Sequence, residues 1–205
     1  IGTSAVLVGT ALSLVVAAWP GADANLAMAG GLSAAPLNGR RPPALAMQHL
    51  DGSRFKLDEL RGRVGVVVFM DPICTTDCRA LAREVDAAVA RTGGSVVPIA
   101  VNLNPEHPSA SAMRRFASRE QLSTPPWVLL TGSAGQIRAS AQRWQVSWAP
   151  SRGGGMLLHD DPIYIVDAKG RISTAWEAPP DESGGVQARS TITAIAEAIQ
   201  QARGR

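Results

Sequence analysis

The chain has 205 residues, room for one domain of ordinary size and an appendage. A net charge of +3 and a pI near 9.4 are mild. Of the 20 basic residues only Lys56 and Lys169 are lysines, the arginines are scattered, and no basic run is interleaved with aromatics. That argues against nucleic acid as a partner.

In chain order, the first feature is an apolar stretch from Ala5 to Ala18, broken only by Gly9, Thr10 and Ser13 and without charge before Asp23. At about 1.5 Å per residue, a helix from Ile1 to Trp19 barely spans a bilayer core of roughly 30 Å. Two readings stand side by side. Residues 1–19 are a signal segment, with Ala22-Asp23-Ala24 as an Ala-x-Ala cleavage pattern, or they are an uncleaved membrane anchor with Trp19 at the interface. Either reading predicts an extracytoplasmic protein, membrane-anchored or secreted after cleavage. Residues 20–44, rich in Ala, Gly and Pro and ending in Asn38-Gly39-Arg40-Arg41-Pro42-Pro43, have the composition of a flexible linker. A folded domain is expected over residues 45–205.

That domain opens with a hairpin-like stretch, Met47–Leu57, carrying the turn signal Asp51-Gly52. Val64–Met70 is a short Val-rich run between Gly62 and Pro72 and reads as a buried strand. Helical spacing follows from about Thr76 to Arg91, then a strand at Ser95–Leu103 and a helix near Ser109–Arg119. A short strand at Trp127–Leu130 precedes a helix from Ser133 to Trp144. Ser147–Leu158, with Gly153-Gly154-Gly155, reads as a loop. Strands Ile163–Val166 and Ile172–Trp176 flank the turn Asp167-Ala168-Lys169-Gly170, and a closing helix runs from about Gln187 to Ala202. Strand–helix alternation followed by a hairpin and a helix predicts an α/β fold: a thioredoxin-like mixed sheet flanked by helices. Its site belongs where the first core strand meets its helix, at the carboxyl edge of the sheet.

Cys74 and Cys78, the only cysteines, occupy that junction. A helix N-terminus favours anions and lowers thiol pKa values. If the first helical turn takes in Cys74, the i, i+4 spacing puts both sulfurs on one face. Two cysteines in an exported protein usually pair, but a pair this close at a helix start points to redox chemistry or a soft metal ion. Of the three histidines, His159 lies just upstream of the strand Ile163–Val166. In a thioredoxin-like fold the loop entering that strand passes beside the cysteines, so His159 is the histidine expected to reach them. Two thiolates suit Cu(I), and an added imidazole makes Cu(II) acceptable. His49 and His107 read as surface residues, and Trp127, Trp144 and Trp176 as core. Trp148 and Met156 flank the expected site, Asp160 and Asp161 read as solvated loop charges, and Pro162 favours a thiol–disulfide role of the thioredoxin and peroxiredoxin kind.

With these residues in view, the chain resembles the Sco/SenC family of copper-binding cytochrome c oxidase assembly factors over roughly Leu45 to Arg203. The marks are Leu50-Asp51-Gly52, Leu60-Arg61-Gly62-Arg63 leading into the first core strand, Cys74-x-x-x-Cys78, and Val101-Asn102-Leu103-Asn104-Pro105-Glu106. Leu129-Leu130-Thr131-Gly132-Ser133 follows, and His159 precedes Tyr164-Ile165-Val166-Asp167-Ala168-Lys169-Gly170. The chain departs from the usual family pattern at Arg79, where Pro is common, at Thr76, where an acid is common, and at Asn104, an acidic position. The resemblance implies a membrane-tethered domain that binds copper through Cys74, Cys78 and His159. Such a domain delivers copper to the binuclear site of the oxidase or reduces the cysteines there. The alternative is an extracytoplasmic thiol–disulfide oxidoreductase using Cys74 and Cys78.

Overall fold

The computed structural model describes residues 39–122, 127–150, 155–177 and 186–204. The expected signal or anchor segment and the expected linker up to residue 38 lie outside the described residues, as do Gly153 and Gly154. Among the described residues no helix is long and apolar enough to cross a membrane.

Among the described residues eight strands form two sheets: β1 (Gln48–His49), β2 (Val64–Met70), β3 (Val96–Asn102), β4 (Val128–Thr131), β5 (Trp148–Pro150), β6 (Leu157–His159), β7 (Pro162–Val166) and β8 (Ile172–Glu177). The helices are α1 (Asp77–Thr92), α2 (Ala110–Glu120), α3 (Ala134–Arg143) and α4 (Val186–Arg203). The main sheet has the order β1-β4-β3-β2-β7-β8. β2, β3 and β4 run parallel, whereas β7 pairs antiparallel with both β2 and β8. This is the thioredoxin-like arrangement expected from the strand–helix alternation.

The central strand shows why. Every residue of β2 is buried. Val64, Val66, Val68 and Met70 pack on one face with Leu81 and Val85 of α1 and Ile195 and Ile199 of α4. Val67 and Phe69 pack on the other with Ile137 of α3, Trp144 and Tyr164. A strand covered on both faces needs a continuous apolar run rather than an alternating one. A Cβ at Gly65 would lie 2.9 Å from Leu60 Cδ1, so the Leu60 side chain would have to shift to admit one. On the second face Phe69, Trp144 and Tyr164 pack as a cluster of tilted and T-shaped rings. Trp127 and Trp144 are buried and Trp176 packs partly buried on the first face, as core residues.

Two elements depart from the sequence reading. The hairpin-like stretch closes its turn, with His49 N–H donating to the Ser53 carbonyl, but its return arm is a single bridge at Arg54 followed by a 3₁₀ turn, Leu57–Leu60. β1 finds its longer partner in β4 instead. The segment Ser147–Leu158 carries a two-stranded ribbon, with β5 antiparallel to β6 and Trp148 directly opposite His159. These three-residue strands are too short for a period-two signal, and contacts distant in sequence order them.

Candidate metal centre

β2 ends at Met70 on the carboxyl edge of the sheet, and Asp71 turns the chain into the cysteine loop. The helix begins later than the i, i+4 argument requires. α1 starts at Asp77, so Cys74 lies in the loop ahead of it. Its sulfur still reaches the helix. Cys78 N–H donates to Cys74 Sγ at 3.4 Å, while Thr76, in the N-cap position, makes no side-chain cap. A sulfur thereby accepts one of the N–H groups a helix start leaves free.

The two thiols are made unequal by this placement. The Cys78 thiol hydrogen-bonds the Cys74 sulfur and, with the backbone N–H groups of Thr76 and Cys78, outweighs burial and holds the Cys74 pKa down to about 6. The same bond, burial and the Cys74 and Asp161 charges push Cys78 well above the ordinary thiol range. Cys74 is therefore a thiolate at neutral pH and Cys78 a thiol.

His159, expected in a loop, stands at the end of strand β6 and still reaches Cys78. Its Nε2 lies 3.5 Å from Cys78 Sγ, and its Nδ1 is 2.9 Å from the Asp160 carbonyl oxygen. Burial disfavours a charged ring, but the Asp161 carboxylate, the Asp160 carbonyl and the Cys74 sulfur outweigh it and hold the His159 pKa up at about 9. Cys78 and His159 thus meet directly while the Cys74 sulfur lies against the Cys78 N–H, and sulfur and nitrogen donors of this kind suit a soft or borderline metal ion.

Three groups of neighbours were not singled out for the site in the sequence. The first is Asp161, read there as a solvated loop charge. Its side chain is only 18% exposed and its Oδ1 lies 3.2 Å from His159 Nδ1. A carboxylate oxygen of Asp161, a ring nitrogen of His159 and Cys78 Sγ all lie within 4.8 Å of one another. Only its spacing from His159 hinted at this, and acids flanking a loop histidine are common.

The second group is a buried clamp. Asp71, fully buried, accepts from Ile73 N–H and from Asn104 Nδ2 through Oδ1, and from Leu157 N–H through Oδ2. Asn104 Nδ2 also donates to the Gly155 carbonyl. The cysteine loop, the loop after β3 and the ribbon carrying His159 are thus tied at one point. The departure at Asn104 has its reason here: an acid would set a second carboxylate against Asp71 where the amide donates.

The third group explains Arg79. Its Nε pairs at 2.8 Å with Glu120, whose side chain is 2% exposed, and Glu120 also holds Arg119 Nε at 2.7 Å. Arg119 Nη2 then donates to the Cys74 and Pro72 carbonyls, at 2.9 and 3.3 Å. The remaining histidines stay apart: His49 contacts Glu59 at 3.1 Å on the edge strand β1, and His107 accepts through its carbonyl from Asn102. Trp148 and Met156 border the centre half-buried.

The SCO1/SenC family model matches residues 45–195. A SCO1 protein homologue of Bacillus subtilis (strain 168) is 23% identical over 142 residues, covering 67% of this chain and 73% of the relative. The crystal structure of Arabidopsis thaliana ScoI with copper bound matches with a TM-score of 0.60 at 19% identity, over 76% of this chain and 95% of that one. The structure of BsSco, described as a member of the Sco family of cytochrome c oxidase assembly proteins and carrying a disulfide switch, matches at 0.59 and 21% identity, over 81% and 96%.

Proposed function

The chain belongs to the SCO1/SenC family, and on that premise we propose that it is an exported copper-binding chaperone serving the cytochrome c oxidase copper site. It delivers copper to that site or reduces the cysteines there. The observation that supports the reading is the meeting of Cys78 Sγ and His159 Nε2, 3.5 Å apart, beside the Cys74 sulfur at the carboxyl edge of β2. A relative with this fold is described with copper bound, and another as belonging to the cytochrome c oxidase assembly proteins. Residues 1–19 carry the domain out of the cytoplasm as signal or anchor, and residues 20 onward link it to the folded part.

In mechanism, the Cys74 thiolate makes first contact with the ion. Cys78 and His159 then give up protons as they bind, so affinity rises with pH until both are deprotonated. Copper would leave by ligand exchange with the acceptor, Cys78 and His159 regaining their protons as it does. Titration of the reduced full chain with Cu(I) against a competing chelator tests the assignment. The expected result is one copper per chain, lost in Cys74→Ala and in Cys78→Ala. The His159→Ala variant should weaken Cu(II) more than Cu(I), because two thiolates alone satisfy the monovalent ion. Copper binding that survives both cysteine substitutions would sink the proposal.

A second reading is favoured by one observation, the depressed pKa of Cys74 beside a protonated Cys78. In a thiol–disulfide oxidoreductase Cys74 attacks a partner disulfide and Cys78 resolves the mixed disulfide. A Cys78→Ala variant that traps a mixed disulfide, in a protein that binds no copper, would favour it.

A further inference from the structure

We propose that Asp161 supplies the fourth donor of the centre, a carboxylate oxygen that joins the two sulfurs and the His159 nitrogen and makes the site favour divalent over monovalent metal. The inference rests on the copper reading above and deepens it. A carboxylate beside a metal-binding histidine commonly serves to orient the ring, accepting its free N–H. Here that place is taken: the Asp160 carbonyl oxygen is the acceptor for His159 Nδ1, at 2.9 Å. Asp161 Oδ1, 3.2 Å from the same nitrogen, is close enough for charge attraction but forms no hydrogen bond, and it is buried. A carboxylate oxygen of Asp161 also lies within 4.8 Å of Cys78 Sγ.

A buried carboxylate oxygen with no hydrogen-bond donor, balanced only by its ion pair with His159, gains from a bound cation beside it. The donor chemistry then sets the preference. Two thiolates already satisfy Cu(I), to which a hard oxygen adds little, whereas a divalent ion gains from a fourth donor and from another negative charge. The position is built rather than accidental. Asp161 is held between His159, whose strand is tied to Asp71 through Leu157 N–H, and Pro162, which is buried and in register with Glu177.

The test compares the full chain with Asp161→Asn, Asp161→Ser and Asp161→Glu, using Cu(II), Cu(I) and Co(II) as separate probes. Loss of the carboxylate is expected to lower Cu(II) and Co(II) affinity by about 10–100-fold, with Asp161→Glu recovering part of it. Cu(I) affinity should stay within about 3-fold. In the metal-free protein at a pH above about 9, where the ring is neutral, ¹⁵N shifts of His159 should report the same tautomer in wild type and Asp161→Asn, since the Asp160 carbonyl holds Nδ1–H. Equal changes for Cu(I) and Cu(II), no change for either, or a changed His159 tautomer in Asp161→Asn overturns the proposal, the last making Asp161 a positioning residue. Should the wild type bind no copper, the copper reading alone fails, and the Co(II) comparison still decides the role of Asp161. Asp161→Ser gives the same readings if the amide does not fit.

Discussion

Cys74 and Cys78 are the same residue type in one short loop, yet their surroundings give them opposite protonation. Cys74 accepts hydrogen bonds at a helix start, where the aligned N–H groups favour a negative charge. Cys78 donates to it from a buried position and so keeps its own proton. The reactivity consequence has a definite sign. Only the thiolate attacks an alkylating reagent, so labelling of the reduced, metal-free protein, slowed by the burial of Cys74, should already be at its plateau rate at neutral pH, be lost as pH falls through about 6, and fall on Cys74. Because the Cys78 thiol is the largest cause of that low value, Cys78→Ala should move the midpoint up toward the ordinary thiol range. A wild-type midpoint at about 8.5, the value of an unperturbed thiol, would refute this account of the loop.

At the scale of elements, the cysteine loop is held from two sides. Asp71 and Asn104 bind it to the ribbon β5–β6, and Arg119 binds the Cys74 carbonyl from the end of α2. Arg119 is in turn oriented by Glu120, which Arg79 of α1 helps to neutralise. Glu120 is buried between two guanidinium groups that remain 34% and 41% exposed, so solvent screens part of the interaction. Glu120→Gln should therefore destabilise the protein by about 1–2 kcal/mol, at the low end for hydrogen bonds to charged groups. Its more specific effect should be faster amide exchange at residues 73–76, where Arg119 loses its orientation. Denaturant unfolding and hydrogen exchange measure the two effects. Unchanged exchange in that segment would show that the arginine–glutamate relay does not hold the loop.

For the whole molecule, the point where the chain enters the domain matters. Gly39 N–H donates to the Ile172 carbonyl, and Ile172 N–H donates to the Arg40 carbonyl. Ile172 is in register with Val166, and Val166 with Gly65 near the start of β2. The cysteines follow the other end of β2. The chain thus joins the sheet at the end opposite the centre. Export is a proposal that rests on the apolar segment Ala5–Ala18 and on the linker after it. A C-terminal fusion to a reporter active only after export should be active, and its size should tell a segment cut after Ala24 from a retained anchor. A reporter active only in the cytoplasm would contradict the proposed location.

Much of this was legible in the residues. The continuous Val-rich run of β2, the helical stripe Leu81, Val85, Ala88 and Val89, and the turn Asp167–Gly170 carry local signals, because burial on both faces or on one stripe imposes a pattern on neighbours in sequence. The Cys74/Cys78 spacing and the place of His159 ahead of its strand were readable for the same reason: each is set by its distance from an element with a strong pattern. The ribbon β5–β6, the clamp of Asp71 on Asn104 and Leu157, the Arg79–Glu120–Arg119 relay and the place of Asp161 beside Cys78 and His159 carried no such signal. Their partners are separated by 33 to 86 residues in the chain for the clamp, 41 to 45 for the relay's links from Arg79 to Glu120 and from Arg119 to Cys74, and 83 for Asp161 and Cys78. Polar groups of this kind take their roles from whichever donors and acceptors the packed sheet leaves beside them, and no periodicity records that choice.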